Sequence, residues 1–291
     1  MQRNRLIGLV ILAVVIVAVA GYTFVRTGTL DPDSPIARGD YDPIELAGYV
    51  GGEKIGFLDD PEVQDILRRR YKITLDATKA GSIEMVRGDV EGVDFLWPAS
   101  QVALEIYKMR YGPMTKDELI FNSPIVLYSW DVVADALEAE GIVERIDDGY
   151  YIVDFPKLID LVQSDVSWGD IGLDQLYGEI RIISTDPTRS NSGNAFSGLL
   201  VNTLNEGIVV DEDSVERYLP EVRGFYRQLG FLHHSSGDLF DQYLKQGVGA
   251  YPLVVGYENQ IVEFSLENEE YLPLIRDKIR ILYPQPTVWS S

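Results

Sequence analysis

The chain has 291 residues, no cysteine and a formal net charge of −21, from 46 acidic and 25 basic residues. A hydrophobic content of 46% suits a globular protein with proper cores and excludes an intrinsically disordered chain. The acidity opposes binding to nucleic acid, so we predict no nucleic-acid partner, and the lack of cysteine excludes disulfides and thiolate metal sites.

The chain begins with an apolar stretch behind two arginines. Arg3 and Arg5 precede residues 6–25, which carry no charge, and a helix needs about 20 apolar residues to cross a bilayer. Residues 1–26 are therefore predicted to be a transmembrane anchor or a signal segment. The basic flank places the N-terminus in the cytoplasm and the rest of the chain at the cell surface or in the periplasm.

The sequence leaves the fate of this segment open between cleavage and retention. Residues 18–20, Ala-Val-Ala, resemble a cleavage site and would give a secreted protein, whereas the continuing apolar stretch favours a membrane-anchored one. Residues 27–42 contain glycines, prolines and aspartates, which predicts a polar linker.

Three segments share the pattern of a strand, a loop of small residues and a helix. They comprise residues 44–50, 51–54 and 57–70 in the first, 72–78, 79–82 and 83–87 in the second, and 181–184, 185–194 and 195–204 in the third. Ser82 and the run Ser190, Asn191, Ser192 are candidate N-caps. Because loops at strand ends converge in α/β proteins, the hydroxyls of Ser82, Thr185 and Ser192 are predicted to face one cleft.

The third loop has the chemistry of an anion or carbonyl-oxygen site. Thr185, Thr188 and Arg189 add side-chain donors beside a helix start, where unpaired amides and the helix dipole favour negative charge. Gly193 allows close approach of the backbone. Arg189 and Lys54 would form charged hydrogen bonds with a carboxylate, or lie at the rim if neutral groups hold an oxyanion. A simple helix cap remains the alternative.

The remaining elements alternate along the chain. Helical spacing predicts helices over residues 131–139, 155–162, 173–177, 213–230 and 237–245, the last capped by Ser236 or Asp238. Strands are predicted over residues 123–129, 149–153, 251–255 and 280–283. The mixture predicts an α/β protein.

Five segments taken together resemble a known family. They are residues 51–58, 79–84, 94–100, 185–194 and 249–258. Their order resembles the extracellular solute-binding proteins of ABC-type importers, in the broad group that includes the oxyanion binders. The resemblance covers about residues 43–291. It implies a two-lobed type II periplasmic-binding clamshell, behind an N-terminal transmembrane or signal helix, that closes by hinge motion.

The resemblance also implies domain boundaries. Lobe 1 would comprise residues 43–130 and a return at 250–291, with lobe 2 at 131–249 between them. Similar proteins usually continue into further helix after such a return, so the return is either truncated or naturally short.

The predicted ligand-binding residues come from these loops. They are Glu53, Lys54, Gly81, Ser82, Ser100, Thr185, Thr188, Arg189, Ser190, Ser192, Gly193, Tyr257 and Glu258. Tyr257 would close over the solute and Glu258 would accept a hydrogen bond from it, while core packing and a helix-start charge are the alternatives for these two residues. Trp97 is a candidate pocket wall.

Motifs of catalysis are missing from the sequence. His233 and His234 are adjacent and lack the spacing of a metal pair, and no nucleophile elbow, zinc motif or phosphate loop occurs. We therefore predict a protein that is not an enzyme and has no cofactor and no metal. The predicted function is capture of a small polar or anionic solute by a membrane-tethered extracellular protein for an ABC permease. The alternative is a non-transport ligand-sensing or structural surface domain of the same fold.

Overall fold

The computed structural model describes residues 42–290, and this part of the chain folds as the predicted α/β mixture. Its strands are β1 (Ile44–Val50), β2 (Ile73–Lys79), β3 (Phe95–Trp97), β4 (Ser123–Trp130), β5 (Val143–Ile146), β6 (Gly149–Ile152), β7 (Leu253–Tyr257), β8 (Ile279–Pro284) and β9 (Trp289–Ser290). Its α-helices are α1 (Ile55–Asp59), α2 (Pro61–Ile66), α3 (Ser82–Arg87), α4 (Gln101–Tyr111), α5 (Asp131–Ala139), α6 (Phe155–Gln163), α7 (Asn191–Leu204), α8 (Glu212–Val215), α9 (Leu219–Leu229), α10 (Ser236–Gln246), α11 (Asn259–Glu267) and α12 (Leu272–Lys278).

The predicted membrane segment, residues 1–26, and the linker up to residue 41 lie outside the described residues. Between residues 42 and 290, no helix is long and apolar enough to span a bilayer.

The chain divides into two compact units. The described part of the first unit comprises residues 42–46 and Phe57–Asp76. In it, Asp60 accepts hydrogen bonds from the amides of Glu62 and Val63 at 2.8 and 3.0 Å, and Pro61 occupies the first turn of α2. This cap starts a new helix after α1, so the predicted single helix over residues 57–70 is wrong and a π-helical turn, Leu67–Tyr71, ends the segment.

The second unit comprises Ala47–Gly56 and the described chain from Ala77 onward. Residues 48–50 of β1 pair in parallel with β3 in this unit, with Val50 opposite Trp97. Helices α3 and α4 pack together through a small core that includes Met85, Val86 and Ala103. A short 3-10 helix, Gly52–Lys54, takes the place of the turn predicted after β1.

A larger sheet forms the main core of the second unit. Its strand order is β5-β6-β8-β4-β7, and β9 pairs with β4. Strand β4 is antiparallel to β7, with Ile125 opposite Tyr257, and to β8, with Leu127 opposite Leu282. Nearly all of β4 and β7 is buried, because helices cover both faces of these central strands.

Three further predicted elements are corrected by the structure. Residues 173–177 form turns after the 3-10 helix Gly169–Ile171 instead of a helix, and the amide of Leu173 bonds to the Trp168 carbonyl at 2.9 Å. The predicted helix over residues 213–230 is divided into α8 and α9, because Pro220 begins a new first turn. Helix α10 is capped by Ser235 rather than by Ser236 or Asp238.

The strand predicted over residues 181–184 is also wrong. Its backbone is extended but pairs through isolated bridges only, Ile183 with Val254 and Thr185 with His233. The segment pairs at one position with β7 and at one position with the chain at His233, so no continuous ladder of hydrogen bonds forms. Strand β5, which the sequence analysis missed, joins β6 in an antiparallel hairpin.

Candidate functional site

A cavity of about 530 Å³ opens within the second unit, where the starts of α7 and α10 meet the loops after β1 and β2. It is lined by Gly51, Gly52, Glu53, Lys79, Ala80, Gly81, Ser82, Glu84, Arg189, Ser190, Asn191, His234, Ser235, Ser236, Gly237, Asp238, Phe240, Asp241, Tyr257, Gln260, Glu263, Phe264 and Glu267. Loops from separate parts of the sequence therefore converge on one concavity, as expected of a ligand site in an α/β fold.

The start of α7 presents backbone donors. Ser190 is the N-cap residue with extended backbone, and its side chain makes no cap bond. The first bond within the helix runs from the amide of Asn194 to the Ser190 carbonyl at 3.0 Å. The amides of residues 191–193 therefore have no acceptor within the helix, and they carry the positive end of its dipole.

The hydroxyls around this helix start bond to one another. Ser192 Oγ lies 2.8 Å from Thr185 Oγ1 and 3.0 Å from Ser190 Oγ. A Cβ on Gly193 would lie only 2.4 Å from the Thr185 carbonyl oxygen. The role of Gly193 in this structure is therefore to let α7 approach the chain at Thr185 closely.

Asn191 is buried at the cavity and is only half satisfied. Its Nδ2 lies 2.8 Å from the Ala99 carbonyl oxygen, 2.9 Å from the Tyr257 hydroxyl and 3.1 Å from Ser290 Oγ. The Ala99 carbonyl can only accept, and this contact orients the amide with nitrogen toward it. The buried Oδ1 of Asn191 has no hydrogen-bond partner among the described residues.

The start of α10 is tied to the loop after β7. Ser235 Oγ accepts from the amide of Asp238 at 3.2 Å, which leaves the amides of Ser236 and Gly237 without a helical acceptor. The buried Gln260 side chain accepts from the Tyr257 amide at 2.8 Å and donates to the Ser236 carbonyl at 3.0 Å. This bridge holds the start of α10 against the Tyr257 turn.

Tyr257 is buried, and its hydroxyl belongs to the hydrogen-bonded group around Asn191. Burial, and to a smaller extent the charge of Glu53, raise the pKa of Tyr257 well above its usual value. The phenol therefore stays protonated and keeps its hydrogen bonds over the whole physiological pH range.

The charges that line the cavity are mostly negative. The lining carboxylates are Glu53, Glu84, Asp238, Asp241, Glu263 and Glu267, and the lining basic side chains are Lys79, Arg189 and His234. Arg189 is exposed, and its Nη1 donates to His234 Nε2 at 3.3 Å. Arg189 is therefore an exposed lining residue whose guanidinium contacts His234.

Two of the lining carboxylates are neutralised by lysines. Glu53 forms an ion pair of 2.6 Å with the buried Lys54, and Asp241 forms an exposed pair of 3.1 Å with Lys245. The Lys54 ammonium also lies over the Trp97 ring, 5.6 Å from its centroid. Lys54 is thus occupied by Glu53 and Trp97, and it does not line the cavity.

Three other lining carboxylates lack the ion pairs that Glu53 and Asp241 form. In the part of the chain described, Asp238, Glu263 and Glu267 form no ion pair. Burial, the charge of Glu267 and the charge of Glu53 together raise the pKa of Glu263. This wall of the cavity therefore has a surplus of negative charge and of hydrogen-bond acceptors.

The structure brings part of the predicted site together. Glu53, Gly81, Ser82, Arg189, Ser190 and Tyr257 line the cavity, whereas Lys54, Ser100, Thr185, Thr188, Ser192, Gly193 and Glu258 do not. The shared cleft predicted for the hydroxyls of Ser82, Thr185 and Ser192 is wrong for the last two. Their hydroxyls bond each other, and Ser82 Oγ accepts from the Ala99 amide at 2.9 Å.

The residues outside the cavity have local structural contacts. Ser100 caps α4 by accepting from the Val102 amide at 3.1 Å. Thr188 donates to the Asp186 carboxylate in an exposed turn. Glu258 accepts from the Tyr283 hydroxyl instead of reaching the cavity.

Trp97 lines a different cavity, of about 510 Å³, beside the loop before β4. Its ring stacks on Phe121 with centroids 5.9 Å apart. A third cavity, of about 790 Å³ near Trp168 and Tyr177, includes none of the predicted site residues.

The sequence analysis did not predict Asn191 as a site residue, nor that helices α10 and α11 would line the cavity. Gln260, Glu263, Phe264 and Glu267 recur at positions i, i+3, i+4 and i+7 and therefore share one face of α11. This spacing was visible in the sequence. Only the fold, however, turns that face toward the starts of α7 and α10.

Comparisons with known proteins find similarity in structure but not in sequence. No protein-family model matches the chain, and no curated protein matches it significantly. The sulfate-binding protein SubI from Mycobacterium tuberculosis H37Rv is 15% identical over 86% of this chain and 74% of its own, with a TM-score of 0.49. Iron-bound HitA from Pseudomonas aeruginosa is 16% identical over 83% and 70%, with a TM-score of 0.48.

The periplasmic molybdate-binding protein of Azotobacter vinelandii is 13% identical over 73% of this chain and 71% of its own, with a TM-score of 0.40. The similarity to solute-binding proteins that the sequence led us to expect is found in structure: two of these neighbours are named as sulfate-binding and molybdate-binding proteins, and HitA is described as iron-bound. At identities of 16% or less and TM-scores below 0.5, these neighbours give no argument about the function of this chain. Its function has to be inferred from its own site. Over residues 42–290, no group of three or more His, Cys, Asp or Glu side chains could hold a metal ion.

Proposed function

We propose that the chain is an extracellular solute-binding protein that captures a small polar or anionic solute and passes it to an ABC permease. In this proposal the N-terminal segment tethers the protein to the membrane. The lobes meet near residues 130 and 250 in a type II periplasmic-binding clamshell, and the protein carries out no chemistry on its solute.

The observation that carries the proposal is the convergence of two helix starts on one cavity. The amides of residues 191–193 and of Ser236 and Gly237 lack helical acceptors, and both starts line the cavity with the loops after β1 and β2. A solute oxygen placed between them would accept several backbone hydrogen bonds at once, in the field of two helix dipoles.

One substitution tests this geometry at a single donor. Ser236 is the first residue of α10, where proline is well tolerated, and the residue before it, Ser235, already has the extended backbone that precedes proline (φ −141°, ψ 145°). Ser236→Pro removes the amide donor with little strain, whereas the control Ser236→Ala keeps the amide and removes only the hydroxyl.

The experiment is a thermal-shift and calorimetric screen of the full-length chain in mild detergent with sulfate, molybdate, phosphate, amino acids and sugars. A solute that binds only the folded state raises the melting temperature by mass action. We expect Ser236→Pro to weaken binding of the responding solute at least tenfold, about 1.4 kcal/mol, and Ser236→Ala to leave it within about threefold. Binding that is equal in the two variants, or the lack of any responding solute, would refute the proposal.

A further inference from the structure

We infer that the solute of this cavity is dipolar: it carries an anionic oxygen group and, in the same small molecule, a cationic nitrogen that donates hydrogen bonds. The inference rests on the proposed function and narrows it from small polar or anionic solutes to one class. The two ends of the solute would meet two different walls of the cavity.

Asn191, the first residue of α7, adds one side-chain acceptor beside the backbone donors of that helix start. The residue is 7% exposed, lines the cavity and turns its nitrogen toward Ala99 and Tyr257, which leaves Oδ1 buried and without a partner among residues 42–290. A buried acceptor without a donor costs free energy. A bare oxyanion such as sulfate brings no donor to it, whereas an ammonium or guanidinium group does.

The carboxylates form the acceptor wall of the cavity. Glu263 and Glu267 supply the negative charge of this wall, and the half-buried Glu53, which Lys54 neutralises, interacts electrostatically with Glu263. Only Glu53 of these three has an ion-pair partner within the described residues, the buried Lys54. A purely anionic solute would be repelled from this wall, while a cationic nitrogen would be attracted to it.

The donor side lies at the starts of α7 and α10, which the same cavity joins to the carboxylate wall. A volume of about 530 Å³ accommodates a small organic molecule with separated charges. No three acidic or histidine side chains of residues 42–290 are placed to hold a metal ion, so the carboxylates favour an organic cation over a bare metal.

The test uses three matched pairs of probes with the full-length chain. The dipolar probes are 2-aminoethylphosphonate, 2-aminoethanesulfonate and β-alanine, and their partners without the amine are ethylphosphonate, ethanesulfonate and propionate. Sulfate and ethylammonium report each charge alone. We expect at least one dipolar probe to bind at least tenfold more tightly than its amine-free partner, and more tightly than sulfate or ethylammonium.

A pair of variants assigns the preference to the carboxylate wall. Glu263→Gln should reduce the ratio of affinities within the responding pair at least threefold. The control Glu270→Gln makes the same change of charge at an exposed position outside the cavity and should leave the ratio unchanged.

The outcomes separate this inference from the proposed function. The inference is overturned, and the solute-binding proposal stands, if an amine-free probe binds as tightly as its dipolar partner. The same holds if sulfate binds as tightly as the best dipolar probe. An affinity ratio that Glu263→Gln leaves unchanged also overturns it. If no probe and no solute of the wider screen binds, both proposals fail.

Discussion

The close approach of α7 to residue 185 gives a quantitative prediction about stability. A Cβ built on Gly193 lies 2.4 Å from the Thr185 carbonyl oxygen and 2.9 Å from its carbonyl carbon and Oγ1, whereas ordinary van der Waals contact begins at 3.4 Å. The Gly193→Ala variant must therefore separate two backbone segments by roughly 1 Å. This movement would strain the hydrogen bond between Thr185 and Ser192.

The expected magnitude follows from two opposing terms. Overpacking of a well-packed site typically costs about 1–3 kcal/mol, and replacing glycine by alanine in a helix returns at most about 1 kcal/mol. Because the overlap is with backbone atoms, which cannot rotate away, we take the upper part of the overpacking range, about 2–3 kcal/mol. Subtracting about 1 kcal/mol for the helix term, we expect Gly193→Ala to lower the free energy of unfolding by about 1–2 kcal/mol. The substitution should also weaken solute binding, because it displaces the backbone amides at the start of α7.

Gly198 provides a control in the same helix. It is exposed, and a Cβ there meets nothing within 4 Å, so Gly198→Ala should stabilise the protein by about 0.5–1 kcal/mol through helix propensity alone. Urea denaturation of the two variants and the wild-type chain measures both effects. A Gly193→Ala variant as stable as wild type, or as much stabilised as Gly198→Ala, would show that the two segments are not in tight contact.

Three further predictions concern the cavity and its neighbours. Tyr257→Phe should lower the free energy of unfolding by about 1 kcal/mol, because it loses the hydrogen bond with Asn191. The control Tyr243→Phe loses a hydrogen bond to a backbone carbonyl and should have a similar effect on stability. If Tyr257 belongs to the site, solute titrations should show weaker binding for Tyr257→Phe only. Lys54→Ala leaves the half-buried Glu53 carboxylate unpaired and should lower the free energy of unfolding by about 1–3 kcal/mol in urea denaturation. Lys245→Ala breaks an exposed pair and should change it by no more than about 0.5 kcal/mol; equal effects would contradict the burial of Lys54. Because the pKa of Glu263 is raised above its ordinary 4.5, the folded protein holds this proton to higher pH than the unfolded chain, and stability falls as pH rises through the folded pKa. Glu263→Gln should therefore raise the melting temperature at pH 7 but not below about pH 4, and a gain that is the same at both pH values would refute this linkage.

Apolar periodicity and N-cap residues were enough to predict several helices and strands from the sequence. The strands at residues 44–50 and 123–129 and the helix at 131–139 agree with β1, β4 and α5, because apolar periodicity reports the face that an element buries. The sequence also located the start of α7, since small hydroxyl residues before an apolar run are the usual signal of an N-cap.

Some boundaries depended on contacts that periodicity does not encode. Residues 181–184 have strand composition, but their neighbours pair with them at isolated positions only. The lobe boundaries near residues 130 and 250 remain predictions. They came from the resemblance to solute-binding proteins, and no change of composition along the chain marks them.

The sequence by itself determined that the protein is an acidic α/β chain with small polar loops before its helices. Only the tertiary structure decided which of those loops share a cavity. The hydroxyls of Thr185 and Ser192 bond to each other in the interior, whereas Asn191 lines the cavity and its Oδ1 has no hydrogen-bond partner in the part of the chain that the structure describes. The carboxylate wall of Glu263 and Glu267 lies far along the chain from the starts of α7 and α10. A hydroxyl or a carboxylate has the same identity in either place, and its role is set by which partners the fold brings within hydrogen-bond distance.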